Sequence, residues 1–397
     1  MNKPIFIIIG ALIILVLIFI WVYLLFFGTP KTVTEVFTDF GGSSETVIDQ
    51  NNNIDLATTS DNTVINTERK KLRQLTTKQV AGFSEIDEPI TASLPSLYYV
   101  EMGTGHVYSI QLETGEEKRL SGTTVASVNT AIVSPKGDYV VMGNRNNTKT
   151  FPLTIGKIST SSTDLQIEEF SNSAEQFKIS NDGKELLYAT RESTGLGGHV
   201  YSFAKKSDKV LFNLPFHEAN IQWGSQSNET HYLYPKASYS LEGFLYQVTN
   251  GKMSRLPADG FGFSGLATKD KIVYSISEGN SLKNYTYNRN NNARESLPVR
   301  ILPEKCIISN STSNLVCAFE ETNDLPFEFP DAWYQGKLNF KDSLWLISGT
   351  DNDLKFLVNT FKETNREVDI TDLKSGSSDR AIYFINKNDN TLWMYEF

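Results

Sequence analysis

The sequence predicts an all-β protein: a single β-propeller of about seven four-stranded blades, its ring closed by an N-terminal strand and preceded by an N-terminal transmembrane helix. Three observations carry this. Strand-like runs recur with a period in the forties. The last segment, AIYFINKNDNTLWMYEF, reads as a hairpin whose second strand has no sequence partner after it. Residues 4–27 carry no charge.

The N-terminal element comes first. PIFIIIGALIILVLIFIWVYLLFF is about 24 residues long, and about 20 helical residues cross a bilayer core. Trp21 and Tyr23 stand near one end, where aromatic rings favour the membrane interface. A cleaved signal peptide would have a shorter apolar core and a clear small-residue cleavage site. Lys3 precedes the run and Lys31 comes after it. The short head MNK fits a signal anchor that translocates the remainder of the chain. Residues 1–28 are therefore expected to hold the protein at the cell membrane, with its bulk outside the cytoplasm.

Residues 29–68 are rich in Ser, Thr, Asn and Asp and carry no aromatic residue after Phe40. Such a composition buries too little apolar surface to offset chain entropy. A flexible stalk is expected, reaching roughly 35 Å as a coil of about 40 residues.

From residue 69 to 397 short runs of Val, Ile, Leu, Tyr and Phe alternate with turn residues, with no helical period. AIVSPKGDYVVMGN (131–144) and FKISNDGKELLYAT (177–190) share a strand, a Ser-x-x-Gly turn and a second strand. Weaker copies start their turns at Ser225, Thr268 and Ser309, and the successive separations are 46, 45, 43 and 41 residues. Each copy is followed by another hairpin, as in HVYSIQLETGEEKRL (106–120) and HVYSFAKKSDKVLFNL (199–214). Four strands in about 45 residues is the pattern of a propeller blade. A pair of β-sandwiches is the alternative, and the regular period disfavours it. The blades are expected to begin near 80, 131, 177, 221, 264, 306 and 368. The last lacks its outer strand, so residues 70–76 are expected to pair with 391–397 and close the ring. Closure removes an edge open to aggregation.

SPKGDYVV and SNDGKELLY resemble the Ser-Pro-Asp-Gly turn of propellers of the TolB-like and WD-like superfamily; the Trp-Asp dipeptide of true WD repeats is absent. EKCIISNSTSNLVCAF, FPDAWYQGKLNFKDSLWLI and the NKNDNTLWMYEF ending are similar to membrane-anchored propellers of candidate-phyla bacteria. This resemblance implies an envelope protein and supplies no catalytic residues.

The charge balance, 37 Lys and Arg against 46 Asp and Glu, argues against nucleic-acid binding. Cys306 and Cys317 are the two cysteines and sit equidistant from a hairpin turn, so they should face each other across two strands. A disulfide is expected, closing a 12-residue loop worth about 3 kcal/mol; buried free thiols are the alternative. No paired-cysteine or paired-histidine spacing points to a metal, and no cofactor is implied.

The stretch 320–337 lengthens blade six between its second and third strands. Phe327, Phe329, Asp331, Trp333 and Tyr334, beside Glu328, form a candidate binding loop for a sugar or peptide; alternatively the aromatics cover their own blade. STGLGGH (193–199) reads as a flexible turn, since the strand, helix and lysine of a phosphate loop are missing. His106 and His199 occupy equivalent GHVYS positions, which argues for repeat structure over metal binding. GFSGL (262–266) lacks the closing Gly of a nucleophile elbow. The expected function is a non-catalytic binding or scaffold module for an envelope protein, peptide or glycan. The alternative is a propeller-type hydrolase or lyase with carboxylates at the channel mouth.

Overall fold

The computed structural model describes residues 70–397, except 90–93, 145–150, 160, 169, 225–226, 279–280, 310–313, 322–324, 327 and 378. The expected transmembrane helix and stalk, and Phe327 of the candidate loop, lie outside the described residues. Among those described, no helix is long and apolar enough to cross a membrane.

The described chain forms a seven-bladed propeller of four-stranded antiparallel sheets. The inner strands of blades one to seven are Val80–Ile86, Val128–Val133, Gln176–Ile179, Ala219–Gly224, Ser264–Ala267, Cys306–Ile308 and Ile370–Ser375. Each begins within about three residues of its expected place. Blade two carries a fifth short strand, because Gln166–Glu168 and Ser173–Ala174 share the outer edge of Phe151–Lys157. Between them Phe170 leaves the edge and packs edge-on against Tyr188 and Tyr201 of blade three.

Ring closure matches the expected pairing. Leu72–Gln74 lies antiparallel to Thr391–Glu396, with Leu72 opposite Tyr395, Arg73 opposite Met394 and Gln74 opposite Trp393. Backbone bonds from Leu75 N to Leu392 O (2.8 Å) and from Glu396 N to Lys71 O (2.9 Å) extend the ladder. Side chains alternate across a strand. Trp393 and Tyr395 therefore join Val316, Ala318 and Leu344 of blade six, while Leu392 and Met394 join Phe83, Leu97 and Tyr99 of blade one. The final strand is apolar on both faces because it lies between two neighbouring blades.

The Ser-x-x-Gly turns have a local cause. Ser134 Oγ accepts from Asp138 N and Tyr139 N and donates to Asp138 Oδ1. Ser180 Oγ accepts from Lys184 N and Glu185 N and donates to Asp182 Oδ1. Gly137 and Gly183 take left-handed φ values of 68° and 73°, which glycine adopts without steric cost.

One sequence expectation is corrected. Gly195–Ser202 is a strand of blade three, with a register shift at Gly198/His199 against its outer neighbour, so the turn ends at Thr194 and the glycines at 195, 197 and 198 lie in the sheet. Gly198 is needed for space: a Cβ there would sit 2.1 Å from Phe212 Cζ. The core ring of Phe212 lies over the strand.

Candidate functional site

In a four-stranded meander, the connection between the second and third strands shares a face with the connection to the next blade. On this face the blade-six insertion meets the segments entering blades six and seven. It folds into a short helix, Asp331–Tyr334, which sequence periodicity did not reveal. Phe329 and Trp333 are buried with Leu302 and Phe340. Asp331 Oδ2 accepts from Tyr239 N of blade four at 2.8 Å. Tyr334 OH donates to Glu304 Oε1 at 2.6 Å. Of the five candidate loop residues, Phe329 and Trp333 thus face inward, Asp331 ties the loop to blade four, Tyr334 ties it to the segment entering blade six, and Phe327 is outside the described residues.

Beneath the insertion lies a buried ionic network. Lys305 Nζ sits 2.6 Å from Asp342 Oδ2 and 2.7 Å from Asp369 Oδ1. Trp333 Nε1 donates to Asp369 Oδ2 at 2.9 Å, and Lys387 Nζ lies 3.6 Å from the same oxygen. Asp342 Oδ2 also accepts from Ile370 N. Burial is the largest influence on Asp342 and raises its pKa to about 6; Asp369 adds to the rise and Lys305 opposes it. Burial also lowers the pKa of Lys387. Charges this deep persist only when paired and hydrogen-bonded. The network therefore fixes the insertion against blades six and seven.

The central channel holds a second cluster. Its cavity has a volume of about 470 Å³ and touches the inner strands of blades two to seven. Its polar lining includes Gln176, Lys178, Asn220, Gln222, Glu304 and Asp372. Glu304 precedes the inner strand of blade six. Its Oε1 accepts from Asn220 Nδ2 (2.9 Å), Tyr234 OH (3.3 Å), Ser264 Oγ (3.2 Å) and Tyr334 OH (2.6 Å). Burial nevertheless pushes the Glu304 pKa up, against the lowering effect of the hydrogen bonds from Tyr334, Ser264 and Tyr234. Tyr234 and Tyr334 are shifted well above the usual phenol value, mainly by burial and then by the Glu304 charge. Lys178 is open to water in the cavity yet ringed by protein. That enclosure lowers its pKa, opposed by Asp372 and reinforced by Lys374.

Neither Glu304 nor Lys178 stands out in the sequence. The usable signal was alternation: in FKIS, Phe177 and Ile179 face the core, which turns Lys178 to the channel. His106 lies 3.4 Å from Glu101, and His199 lies 3.0 Å from Asp208 and stacks on Tyr188. Each thus sits on a blade beside a carboxylate, away from the cavity. Among the described residues no group of three His, Cys, Asp or Glu is placed to hold a metal. Cys306 and Cys317 are direct register partners with Cα atoms 4.1 Å apart, and their sulfurs are within bonding distance.

No family model matches the chain, and no curated protein matches it. Solved propellers do. The chain is similar to the β-propeller domain of the Trilobed protease from Pyrococcus furiosus (11% identity, TM-score 0.51, covering 79% of this chain and 95% of that one). It is also similar to an oligogalacturonate lyase from Vibrio parahaemolyticus (11% identity, TM-score 0.54, 82% and 93%). An oligogalacturonate lyase in complex with manganese gives 12% identity and a TM-score of 0.53, with the same coverage. At these identities the likeness shows the fold. The Pyrococcus domain has an open velcro topology, whereas here the ring is closed by strand pairing.

Proposed function

We propose that the chain is a membrane-anchored propeller displayed on the extracytoplasmic side, a non-catalytic binding or scaffold module for an envelope protein, peptide or glycan. The charge-free run at 4–27, the polar stalk at 29–68 and the resemblance to anchored TolB-like propellers support the location. One observation carries the docking reading: the insertion is fixed to blades four, six and seven by named bonds, so it forms a rigid platform on one face. Beside it, Leu241 and Phe261 stand 62% and 52% exposed on adjoining strand ends, joined by the Gly262 N to Leu241 O bond. Exposed apolar side chains beside a fixed polar rim suit a protein or peptide partner.

The test is site-specific photo-crosslinking from position 241 of the full-length chain in cells, with Leu241→Asp and Phe261→Asp as comparisons. A discrete crosslinked partner, lost in both variants, supports the reading. Absence of any crosslink from this face, with the protein folded, overturns it. Protease added to intact spheroplasts should cut the stalk; full protection would place the propeller on the other side.

The hydrolase or lyase reading has one observation in its favour. A carboxyl with raised pKa, Glu304, and an amine with lowered pKa, Lys178, line the same cavity. Groups matched in this way suit acid and base roles.

A further inference from the structure

The polar groups of the channel fall into two kinds. Most are committed to holding the ring together. Gln176 Nε2 donates to Asn220 Oδ1 at 2.8 Å, and its Oε1 accepts from Ile221 N. Gln222 Nε2 donates to Gly265 O at 2.7 Å, and its Oε1 accepts from Ala267 N. These amides bridge the inner strands of blades three, four and five. Asp372 lies 3.3 Å from Lys374, and Glu175 pairs with Arg191.

Two charged groups are left over, and they have opposite sign. Among the described residues Lys178 Nζ has no ion pair and no hydrogen bond, although it lines the cavity. The bonds to Glu304 all go to Oε1, which leaves Oε2 without a partner. That free oxygen is not sealed in the core. Lys178 and Glu304 do not pair with each other, yet the Glu304 charge reaches Lys178. A charged group that lines the cavity without a protein partner can take one from a ligand, in a charge-assisted hydrogen bond.

We infer that the central cavity binds a small carboxylate bearing hydrogen-bond donors, a hydroxy acid or a dipeptide-sized zwitterion, with its carboxylate on Lys178 and a hydroxyl or ammonium on Glu304 Oε2. The volume, about 470 Å³, falls within the range of small-ligand pockets. Charge excludes other classes. A dianion such as phosphate meets one lysine among Glu175, Glu304 and Asp372. A simple cation meets an unanswered ammonium. A neutral polyol leaves Lys178 unpaired. Neither reading of the function assigns this ligand, and docking on the insertion face is a separate event: Leu241→Asp should leave cavity binding unchanged.

The experiment is calorimetric titration of the full-length chain, in detergent micelles, with gluconate and with glycylglycine, using glucitol as the carboxylate-free control. Saturable binding of gluconate, glycylglycine or both, with none for glucitol, is expected. Gluconate alone identifies hydroxyl donors at Glu304, and glycylglycine alone an ammonium. Lys178→Met should weaken binding at least about tenfold, or about 1.4 kcal/mol, while Lys178→Arg retains it. Neither variant should melt below the wild type, because the side chain bonds to nothing that holds the ring. Failure of both carboxylates to bind, equal binding of glucitol, or unchanged affinity in a folded Lys178→Met chain would overturn the inference.

Discussion

Gln74 lies directly opposite Trp393, 319 positions later in the chain, in one sheet. Trp393 Nε1 donates to Thr391 Oγ1 at 2.8 Å, its ring is 3% exposed, and it packs between blades six and seven. The two ends of the described chain are thus one structural unit.

Trp393→Ala should cost about 3–5 kcal/mol, the range for emptying a large aromatic site. The urea midpoint reports it. Phe397, 44% exposed at the end of the chain, supplies the contrast: Phe397→Ala should stay within about 0.5 kcal/mol.

Gly82 is set by close approach of two inner strands. A Cβ there would stand 1.8 Å from Ala131 O. Backbone cannot swing aside, so Gly82→Ala should destabilise by about 1–3 kcal/mol or more. Gly198→Ala meets the tip of the Phe212 ring instead, which can shift, and should cost less. Paired thermal melts decide the order.

The Asp342 carboxyl, raised to about 6, gives an unusual pH dependence. The folded state holds this proton more tightly than the unfolded chain, whose aspartate titrates near the ordinary value. The stability from Asp342 is therefore full below about pH 4 and is lost as pH rises through about 6. Lys305, Asp369 and Lys387 are the charged groups facing it. Asp342→Asn should flatten this part of the stability curve. If wild type and variant run parallel between pH 4 and 7, Asp342 is not the titrating group.

Cys306 and Cys317 lie in register with their sulfurs within bonding distance, and the bond should be complete in chain purified under oxidising conditions. The Cys306→Ser, Cys317→Ser double variant should lose about 3 kcal/mol. Free-thiol labelling of the oxidised chain, unfolded in denaturant, gives the independent reading: two reactive thiols would contradict the bond.

The fold was legible because its signals are local and repeated. Ser134 with Gly137 and Ser180 with Gly183 announce the same turn twice, and the period gives the blades. The missing partner of the TLWMYEF strand led to the closing strand by elimination. The insertion was legible as extra length between Phe319 and Ser343, but its four-residue helix was not, being too short for any period. The two networks were illegible for a further reason. Lys305 meets Asp342 and Asp369 across 37 and 64 positions, and Glu304 meets Asn220 across 84. Nothing in a local window marks residues that meet only when the ring closes.

Pairing of the two chain ends is the central claim, and a cysteine crosslink tests it most directly. Arg73 and Met394 are register partners, and facing positions bring Cβ atoms within about 5.5 Å. In a chain carrying Arg73→Cys and Met394→Cys, mild oxidation should give an intramolecular disulfide, found by mass mapping as one peptide pair joining the two strands. A folded, oxidised chain in which positions 73 and 394 stay reduced or join only between molecules would contradict the closed ring.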